Sequence, residues 1–300
     1  MSAQDYPVPP KKWSDPIYSR FLRLAAGGLA PAKLYQPTIL PVEKRQSKTG
    51  ELNIEIVSHC WQYAHLLQYQ LSSLIKFPPQ SANITMTVYY CQEDTQTSRL
   101  LNYVREQQID RVTWNWQPLP QAALFRRTIG RNLSALNTKA DWIWFTDCDL
   151  MFRENCLDEL VTQLQGRREA LVYPRIERTT SLLSDEDPLL AFNDSELSIR
   201  DVDTTHFTEQ EKTRATGPLQ ITHGDVARDS GYCKALDFYM RPSDTWCKAH
   251  EDRAFRWLLR TQGTPLDIPG VYRIRHVSKG RYTGGKLNTG MRSFLRRFQA

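Results

Sequence analysis

The chain has 300 residues, of which 40% are hydrophobic and 24% are charged, and its 39 Lys and Arg against 33 Asp and Glu leave a net charge of +6. This composition is typical of a globular protein and excludes a wholly disordered, collagenous or coiled-coil chain. No stretch approaches about 18 uninterrupted apolar residues, so we expect no membrane-spanning helix. The N-terminus shows no secretory signal, which predicts a cytoplasmic location.

The spacing of the cysteines and the arrangement of the basic residues exclude further classes of function. The six cysteines form no C-x-x-C pair and have no regular spacing, so we expect reduced core thiols and neither a disulfide framework nor a zinc site. The mild basicity favours anionic ligands such as phosphates. No Lys/Arg block with interleaved aromatic residues is present, so we expect no nucleic-acid partner.

The chain divides into an N-terminal arm (1–50), one large domain (51–280) and a basic C-terminal tail (281–300). Within the domain, short β-branched runs alternate with segments of helical periodicity. The predicted strands cover 51–58, 83–90, 111–116, 141–147 and 170–174. The predicted helices cover 61–76, 98–108, 125–137, 156–165 and 250–263. This alternation predicts a doubly wound α/β fold with a parallel sheet, which binds ligands at the carboxyl ends of its strands.

Two further features constrain the kind of site. Neither G-x-G-x-x-G after the first strand nor G-x-x-x-x-G-K-[ST] occurs, so the dinucleotide and P-loop phosphate cradles are lacking. The acidic, polar stretch 179–216 predicts a long surface excursion or a lid.

The fourth predicted strand ends in Asp147-Cys148-Asp149. Residues i and i+2 of an extended chain point the same way, so both carboxylates are predicted to face one spot at the mouth of the sheet. Oxygen ligands suit Mg²⁺ or Mn²⁺, and a cation held there can bridge a diphosphate. A solvated Asp pair at a strand end is the alternative.

Several motifs together resemble those of GT-A fold, family 2-like glycosyltransferases. The run from Arg126 to Phe152 resembles that family's R-x-x-x-x-N…A-x-W/Y-I-x-F-x-D-x-D segment, and the segments 54–61 and 88–97 resemble its first two strands. HEDRAFRWLLRTQG (250–263) resembles its E-D-x-x-x-x-x-R-x-x-x-x-G motif, and RIRHVSKG (273–280) its late His. The match covers about residues 52–280, and the order of the motifs is more specific than any one of them.

The resemblance implies a Rossmann-like, mostly parallel sheet flanked by helices, divided into a nucleotide-binding half (51–175) and an acceptor-binding half (176–280). It implies that Asp149, Asp147 and His276 bind Mn²⁺ or Mg²⁺, and that Asp147 also contacts the nucleotide sugar. The other nucleotide-sugar contacts that it implies are Ser58, His59, Cys60, Glu93 and Arg131. The family's Pro-x-Tyr-Asn is Ser58-His59-Cys60-Trp61 in this chain, and its Asp-Asp pair is replaced by Gln92-Glu93-Asp94.

The resemblance also implies the catalytic carboxylates. Asp252 would be the general base that deprotonates the acceptor hydroxyl, and Glu251 would bind the acceptor or orient its neighbour. Taken locally, the pair is equally compatible with a helix cap. His223 and Trp246 are expected to contact the donor sugar or the acceptor.

These inferences predict a metal-dependent glycosyltransferase of polysaccharide biosynthesis. Its donor would be a nucleoside-diphosphate sugar, UDP-linked, its acceptor a glycan or lipid-linked hydroxyl, and its mechanism inverting. The alternatives are a retaining transferase of the same fold, a nucleotidyltransferase and a non-catalytic glycan-binding module. The apolar-basic segments near both termini add an expectation of peripheral membrane contact.

Overall fold

The computed structural model describes residues 13–193, 196–244 and 250–277. Its α-helices are α1 (Asp15–Leu24), α2 (Ala64–Lys76), α3 (Thr95–Arg105), α4 (Gln121–Leu124), α5 (Arg127–Asn137), α6 (Cys156–Leu164), α7 (Gly224–Ser230) and α8 (Glu251–Leu258). Its strands are β1 (Leu52–Cys60), β2 (Ala82–Tyr90), β3 (Val112–Pro118), β4 (Trp142–Phe145), β5 (Leu150–Phe152), β6 (Leu171–Pro174), β7 (Ile176–Thr179), β8 (Thr208–Glu211), β9 (Gln220–His223), β10 (Thr264–Leu266) and β11 (Val271–Arg273).

The main sheet has seven strands in the order β10-β6-β9-β4-β1-β2-β3. Strands β4, β1, β2 and β3 run parallel to one another, and β9 runs antiparallel to both of its neighbours. The α/β class with a mostly parallel sheet is thereby confirmed. Strand β9, which follows a short 3₁₀ turn (Gly217–Leu219), is the antiparallel member of this mostly parallel sheet.

The strand order places a topological switch point between β1 and β4. The chain first moves outward from β1 to β2 and β3, and then returns to the other side of β1 to form β4. Because such crossovers are right-handed, α2 and α3 lie on one face of the sheet and α5 lies on the other. The helices diverge at this point, which leaves a crevice at the carboxyl ends of β1 and β4, where α/β sheets bind ligands.

A second sheet, ordered β5-β11-β7-β8, adjoins this crevice. Strand β5 begins immediately after the Asp149 turn and pairs antiparallel with β11. The edge strand β8 lies within the acidic stretch predicted to be a surface excursion. That stretch is anchored over α2 by Gln68, which donates to the Ser198 carbonyl, and by Ser72, whose Oγ accepts the Arg200 N–H.

The N-terminal arm contains a helix and packs against α8. Trp257 on α8 donates its indole N–H to the Ala30 carbonyl at 2.9 Å, and its ring contacts Tyr35. On α1, Leu22 is fully buried. Residues 13–50 of the predicted N-terminal arm therefore include an element of regular structure docked on the domain.

Candidate active site

The carboxylates of Asp147 and Asp149 lie in a turn between the two sheets. Strand β4 ends at Phe145, before the predicted end of the strand, and the N–H of Leu150 donates to the Asp147 carbonyl at 3.2 Å. Asp149 is nearly buried, and the side chain of Asp147 is about one-fifth exposed. The two residues therefore come together through a turn at the switch point, and not through the alternation of an extended strand.

Arg127, the first residue of α5, binds two carboxylates from distant parts of the chain. Its Nη1 lies 2.5 Å from Asp147 Oδ1, and its Nη2 lies 2.6 Å from Glu251 Oε1. Its Nε donates to the same Glu251 oxygen at 3.1 Å. The planar guanidinium, with donors on both edges, can hold two anions at once, which a lysine amine does less well. This contact brings the D-C-D turn and the start of α8 into one site.

Arg131, one helical turn further along α5, lies behind Asp147 and is fully buried. Its Nη2 donates to Asp147 Oδ1 at 3.2 Å and to the Gly217 carbonyl at 3.3 Å, and its Nη1 donates to the Tyr232 hydroxyl at 2.9 Å. These donors of Arg131 are directed to groups of the protein, and its contact with a nucleotide stays a prediction. Arg131 interacts with the crevice through its ion pair with Asp147.

The two acidic residues at the start of α8 differ in environment. Burial favours the neutral form of Glu251, but the guanidiniums of Arg127 and Arg131 outweigh it and lower the pKa of this carboxyl from its usual value. Asp252 is 33% exposed, and its Oδ2 lies 3.2 Å from Arg256 Nη1. Glu251 is therefore a fixed anion, whereas Asp252 is the member of the pair that solvent and a bound ligand can reach.

A hydrogen-bonded chain connects Asp252 to Arg131. The Tyr232 hydroxyl, which accepts from Arg131, donates to Gln220 Oε1 at 2.7 Å, and Gln220 Nε2 donates to the Asp252 carbonyl at 3.1 Å. Gly217 also lies next to Asp252, since a Cβ built on this glycine would lie 3.8 Å from Asp252 Cβ. The orientation of the first turn of α8 is thus coupled to the Asp147 turn.

Ser58, His59 and Cys60, predicted to bind the nucleotide sugar, end β1 and are buried beneath this site. The His59 ring stacks on Tyr89 with centroids 5.0 Å apart. A Cβ built on Gly130 would lie only 2.3 Å from His59 Nε2, so α5 approaches this close only because residue 130 is a glycine. Burial first, and then the charges of Arg131 and Arg127, hold the pKa of His59 well below its usual range, so the ring is neutral.

A third guanidinium, that of Arg273 on β11, contributes positive charge to the Asp turn. Burial lowers the pKa of Arg273, but the charges of Glu177, Asp149 and Asp147 together raise it by more, so the pKa lies above its usual value. Its Nη2 lies 2.9 Å from Glu177 Oε2, and Lys212 Nζ lies 3.0 Å from the same oxygen. The carboxylates around the Asp turn are therefore each close to a basic side chain, and the guanidiniums of Arg127 and Arg273 supply positive charge beside it.

His276 pairs with Leu183 and lies two residues after Ile274, which is bonded to the backbone of Asp149. The N–H of Ile274 donates to the Asp149 carbonyl at 3.0 Å, and His276 itself is buried with its ring edge-on to Tyr63. The expected ligand trio of Asp149, Asp147 and His276 is not assembled, since no group of three or more His, Cys, Asp or Glu within the described segments is placed to hold a metal ion.

The remaining predicted site residues are Glu93, His223 and Trp246. Glu93 is exposed in the turn between β2 and α3. His223 pairs in register with Trp142, at the amino end of β4, and its Nε2 lies 3.0 Å from the Gln46 carbonyl oxygen. His223 is thus at the opposite end of the strand from Asp147, and its contact with a sugar stays a prediction. Trp246 lies outside the described residues.

Arg127 is a residue of this site that does not stand out in the sequence. Arg127 and Arg131 lie four residues apart on one helix face, a pattern that is more often solvated. The direct link to Glu251 spans 124 positions and has no sequence signal. The position of both arginines on the helix that leads into the D-C-D strand was the available indication.

No family model matches the chain, and no curated protein matches it. Among solved structures, the mannosyltransferase PcManGT from Pyrobaculum calidifontis, in complex with GDP-Man and Mn²⁺, is 11% identical, with 95% of this chain and 76% of that chain covered and a TM-score of 0.43. TarS of S. aureus, residues 1–349, is 12% identical, with 77% of this chain covered and a TM-score of 0.39. This chain spans 59% of that TarS structure. We therefore rest the function on the geometry of the site.

Proposed function

We propose that the chain is a glycosyltransferase of GT-A type that transfers a sugar from a nucleoside-diphosphate sugar to a hydroxyl acceptor. One observation carries the proposal: Arg127 binds both Asp147 and Glu251, which lie 20 and 124 positions away. The D-x-D and E-D segments, each of which resembles a motif of that family, thus meet at one guanidinium. They meet at the switch point, where this class of sheet binds ligands.

The donor is proposed to be a UDP-linked sugar, with its diphosphate against the Asp147–Asp149 turn. Arg127 and Arg273 provide positive charge beside that turn, and oriented cations of this kind stabilise the charge that develops on a departing diphosphate. A glycan or a lipid-linked sugar is the proposed acceptor.

The residues present fit a divalent cation that is completed by its substrate. Mg²⁺ is commonly held by one or two carboxylates together with substrate phosphates, and Asp149 and Asp147 are two such carboxylates on one turn. One oxygen of Asp147 is already shared between Arg127 and Arg131, so Asp149 is the proposed principal ligand. When bound, Mn²⁺ or Mg²⁺ supplies charge neutralisation for the diphosphate.

The catalytic step assigned to this chain is a proton transfer at Asp252. Its carboxylate takes the proton of the acceptor hydroxyl while that oxygen attacks the anomeric carbon, and the bond to the diphosphate breaks on the opposite face. This single displacement inverts the anomeric configuration. Glu251, fixed as an anion by Arg127, positions Asp252 through the first turn of α8.

The donor site is tested by calorimetric titration of UDP with and without Mn²⁺. We expect Mn²⁺ to strengthen UDP binding, and we expect Asp149→Asn to remove most of that gain because the amide lacks the negative charge that a hard cation prefers. The matched control is Asp229→Asn, which makes the same charge change on an exposed residue of α7. An Mn²⁺ gain of equal size in Asp149→Asn and wild type would overturn the assignment of Asp149.

The base is tested by release of UDP from a panel of UDP-sugars, with water or an added acceptor as nucleophile. Asp252→Asn should keep UDP affinity and lower the rate by about 100- to 10,000-fold, since it retains shape and removes basicity. A rate close to that of the wild type would place the base elsewhere. If no nucleoside-diphosphate sugar is turned over by the wild type, the transferase proposal itself fails.

A further inference from the structure

The large exposed apolar side chains of the described residues are confined to one part of the chain. Those recorded are Trp13, Ile17, Phe21, Leu24, Leu29, Leu34 and Val42. Trp13 is 88% exposed and Leu34 is 73% exposed, while the rest of the described domain keeps its large apolar groups buried or half-buried. Clustered exposure of this kind marks an interaction surface more often than scattered single residues do.

The exposed apolar residues of α1 form a stripe. Ile17, Phe21 and Leu24 follow the i, i+4, i+7 spacing of one helix face, and we call these three residues the α1 face. Trp13 precedes this helix and Leu29 follows it. Another side of the helix packs against the domain, since Leu22 and Ala25, the residue just after α1, are fully buried. The α1 face therefore does not contribute to the hydrophobic core.

The helix is held firmly on the domain while the α1 face stays outside. Asp15 forms an ion pair with Arg241, and the Tyr18 ring packs edge-on against Phe238. After the helix, Arg253 Nε donates to the Ala26 carbonyl at 3.2 Å. These contacts come from α8 and the segment before it, so the exposed side chains project from a fixed support.

The charges around the α1 face are positive. Between residues 13 and 34, the basic side chains are Arg20, Arg23 and Lys33, all exposed, and the one acidic residue, Asp15, is neutralised by Arg241. Lys11 and Lys12 directly precede this stretch. An apolar stripe with flanking cations complements an anionic lipid surface, where apolar side chains enter the acyl boundary and cations meet the headgroups.

We propose that the α1 face docks on an anionic lipid bilayer, with Trp13 and Leu29 inserting at its two ends and Arg20 and Arg23 contacting lipid phosphates. The charge argument disfavours the chain's own tail as the occupant, because residues 278–300 carry six basic side chains and no acidic one. The proposal does not depend on the proposed activity, because it concerns the side of α1 that faces away from the domain.

The test is flotation of the full-length protein with vesicles of phosphatidylcholine alone and of phosphatidylcholine mixed with phosphatidylglycerol. We expect binding to the mixed vesicles, weakened by salt because screening reduces the attraction. Arg20→Gln and Arg23→Gln should each lower the partition coefficient about fivefold. The double variant Ile17→Ser, Leu24→Ser should lower it by about tenfold or more.

The matched control is Val42→Ser, which removes an exposed apolar side chain beyond the α1 face. Val42 belongs to a 3₁₀ turn whose neighbour Arg45 is bound to the Arg168 carbonyl. Because the α1 variants alter exposed side chains, their melting temperatures should match that of the wild type. An independent readout is tryptophan emission, which should shift to the blue when mixed vesicles are added to wild type and shift less in Trp13→Phe.

Three results would overturn the proposal. The first is absence of wild-type binding to the mixed vesicles, and the second is equal binding of the wild type and the Ile17→Ser, Leu24→Ser variant. The third is a wild-type dimer, measured by light scattering, that this variant dissociates, which would assign the α1 face to a second copy of the chain. A transferase that is active on soluble acceptors but fails to float would refute docking and leave the proposed function intact.

Discussion

At the scale of single residues, Arg127 determines the charge state of the site. Glu251 is buried, and burial alone would favour its neutral acid, but the adjacent guanidinium lowers its pKa and keeps it ionised. Arg127 also satisfies one oxygen of Asp147. The same side chain therefore holds two anions close together that would otherwise repel each other, which preorganises the crevice before any ligand binds.

This arrangement predicts strong energetic coupling between Arg127 and Glu251. Arg127→Gln leaves a buried carboxylate without its nearest cation, and we expect it to lower the free energy of unfolding by about 2–4 kcal/mol. Adding Glu251→Gln should recover about 1 kcal/mol or more of that loss, because the stranded charge is removed. Urea denaturation of wild type, both single variants and the double variant measures the coupling.

The matched control for this cycle is the exposed pair of Arg178 and Glu209, whose atoms lie 2.5 Å apart. Solvent screens that pair, so its coupling should be below about 1 kcal/mol. If the two cycles return the same coupling, then Arg127 does not organise the site in the way described. The sequence identified Glu251 as a candidate, but nothing in its spacing from Arg127 indicates that the two side chains touch.

At the scale of elements, the alternation of strands and helices followed from hydrophobic periodicity, and most predicted elements are present within a few residues of the predicted bounds. The differences lie at element ends. The predicted helix 125–137 corresponds to α5, which begins at Arg127 because Arg126, with a φ of −105° and a ψ of 80°, is not helical; the short helix α4 precedes it. The direction of β9 depends on which strands it joins, and periodicity does not report that.

One helix start offers a test that separates stability from ligand binding. Asp94 caps α3 by accepting the Thr97 N–H at 3.2 Å, and it also accepts the Gln62 N–H at 2.5 Å. Asp94→Ala should therefore lower the free energy of unfolding by about 1–2 kcal/mol. Its exposed neighbour provides the comparison, since Glu93→Ala should change stability by less than about 0.5 kcal/mol.

The same two variants test the expected nucleotide contact at this turn. If Glu93 contacts the nucleotide, Glu93→Ala weakens UDP binding in a calorimetric titration while the denaturation midpoint stays unchanged. A loss of stability in Glu93→Ala, or none in Asp94→Ala, would contradict the assignment of the cap to Asp94.

At the scale of the whole molecule, buried neutral histidines link folding to pH. Burial is the main cause that lowers the pKa values of His59 and His223 below the ordinary 6.5, and for His59 the lowering is large. Below pH 6.5 the unfolded chain binds protons that the folded chain excludes. Stability is therefore fully present above that pH and is lost as the pH falls toward the folded pKa values.

We expect the free energy of unfolding to fall by up to about 1.4 kcal/mol per pH unit below pH 6.5 through His59, whose pKa is lowered most, and by less through His223. His59→Asn should remove the His59 part of this slope, whatever its effect on stability at neutral pH. His206→Asn, at an exposed position, should leave the slope unchanged. Urea denaturation at a series of pH values measures each slope, and an unaltered slope in His59→Asn would show that its ring is protonated in the folded state.

No described helix has both the length and the apolar character needed to cross a bilayer. The membrane contact proposed above concerns a surface of α1. The two sides of this helix differ: Leu22 faces the protein, and Ile17 and Leu24 face solvent.

The sequence by itself determined the class of the fold, the strand that leads into Asp147 and Asp149, and the helix that begins at Glu251. These features depend on local periodicity and on short motifs, which are written along the chain. The tertiary structure alone decided that Arg127 joins the two motifs, that Arg131 and His59 are buried behind them, and that His223 is at the far end of β4. The physical reason is that contacts between residues 100 or so positions apart follow from strand order and helix packing, and these depend on the energy of the whole fold.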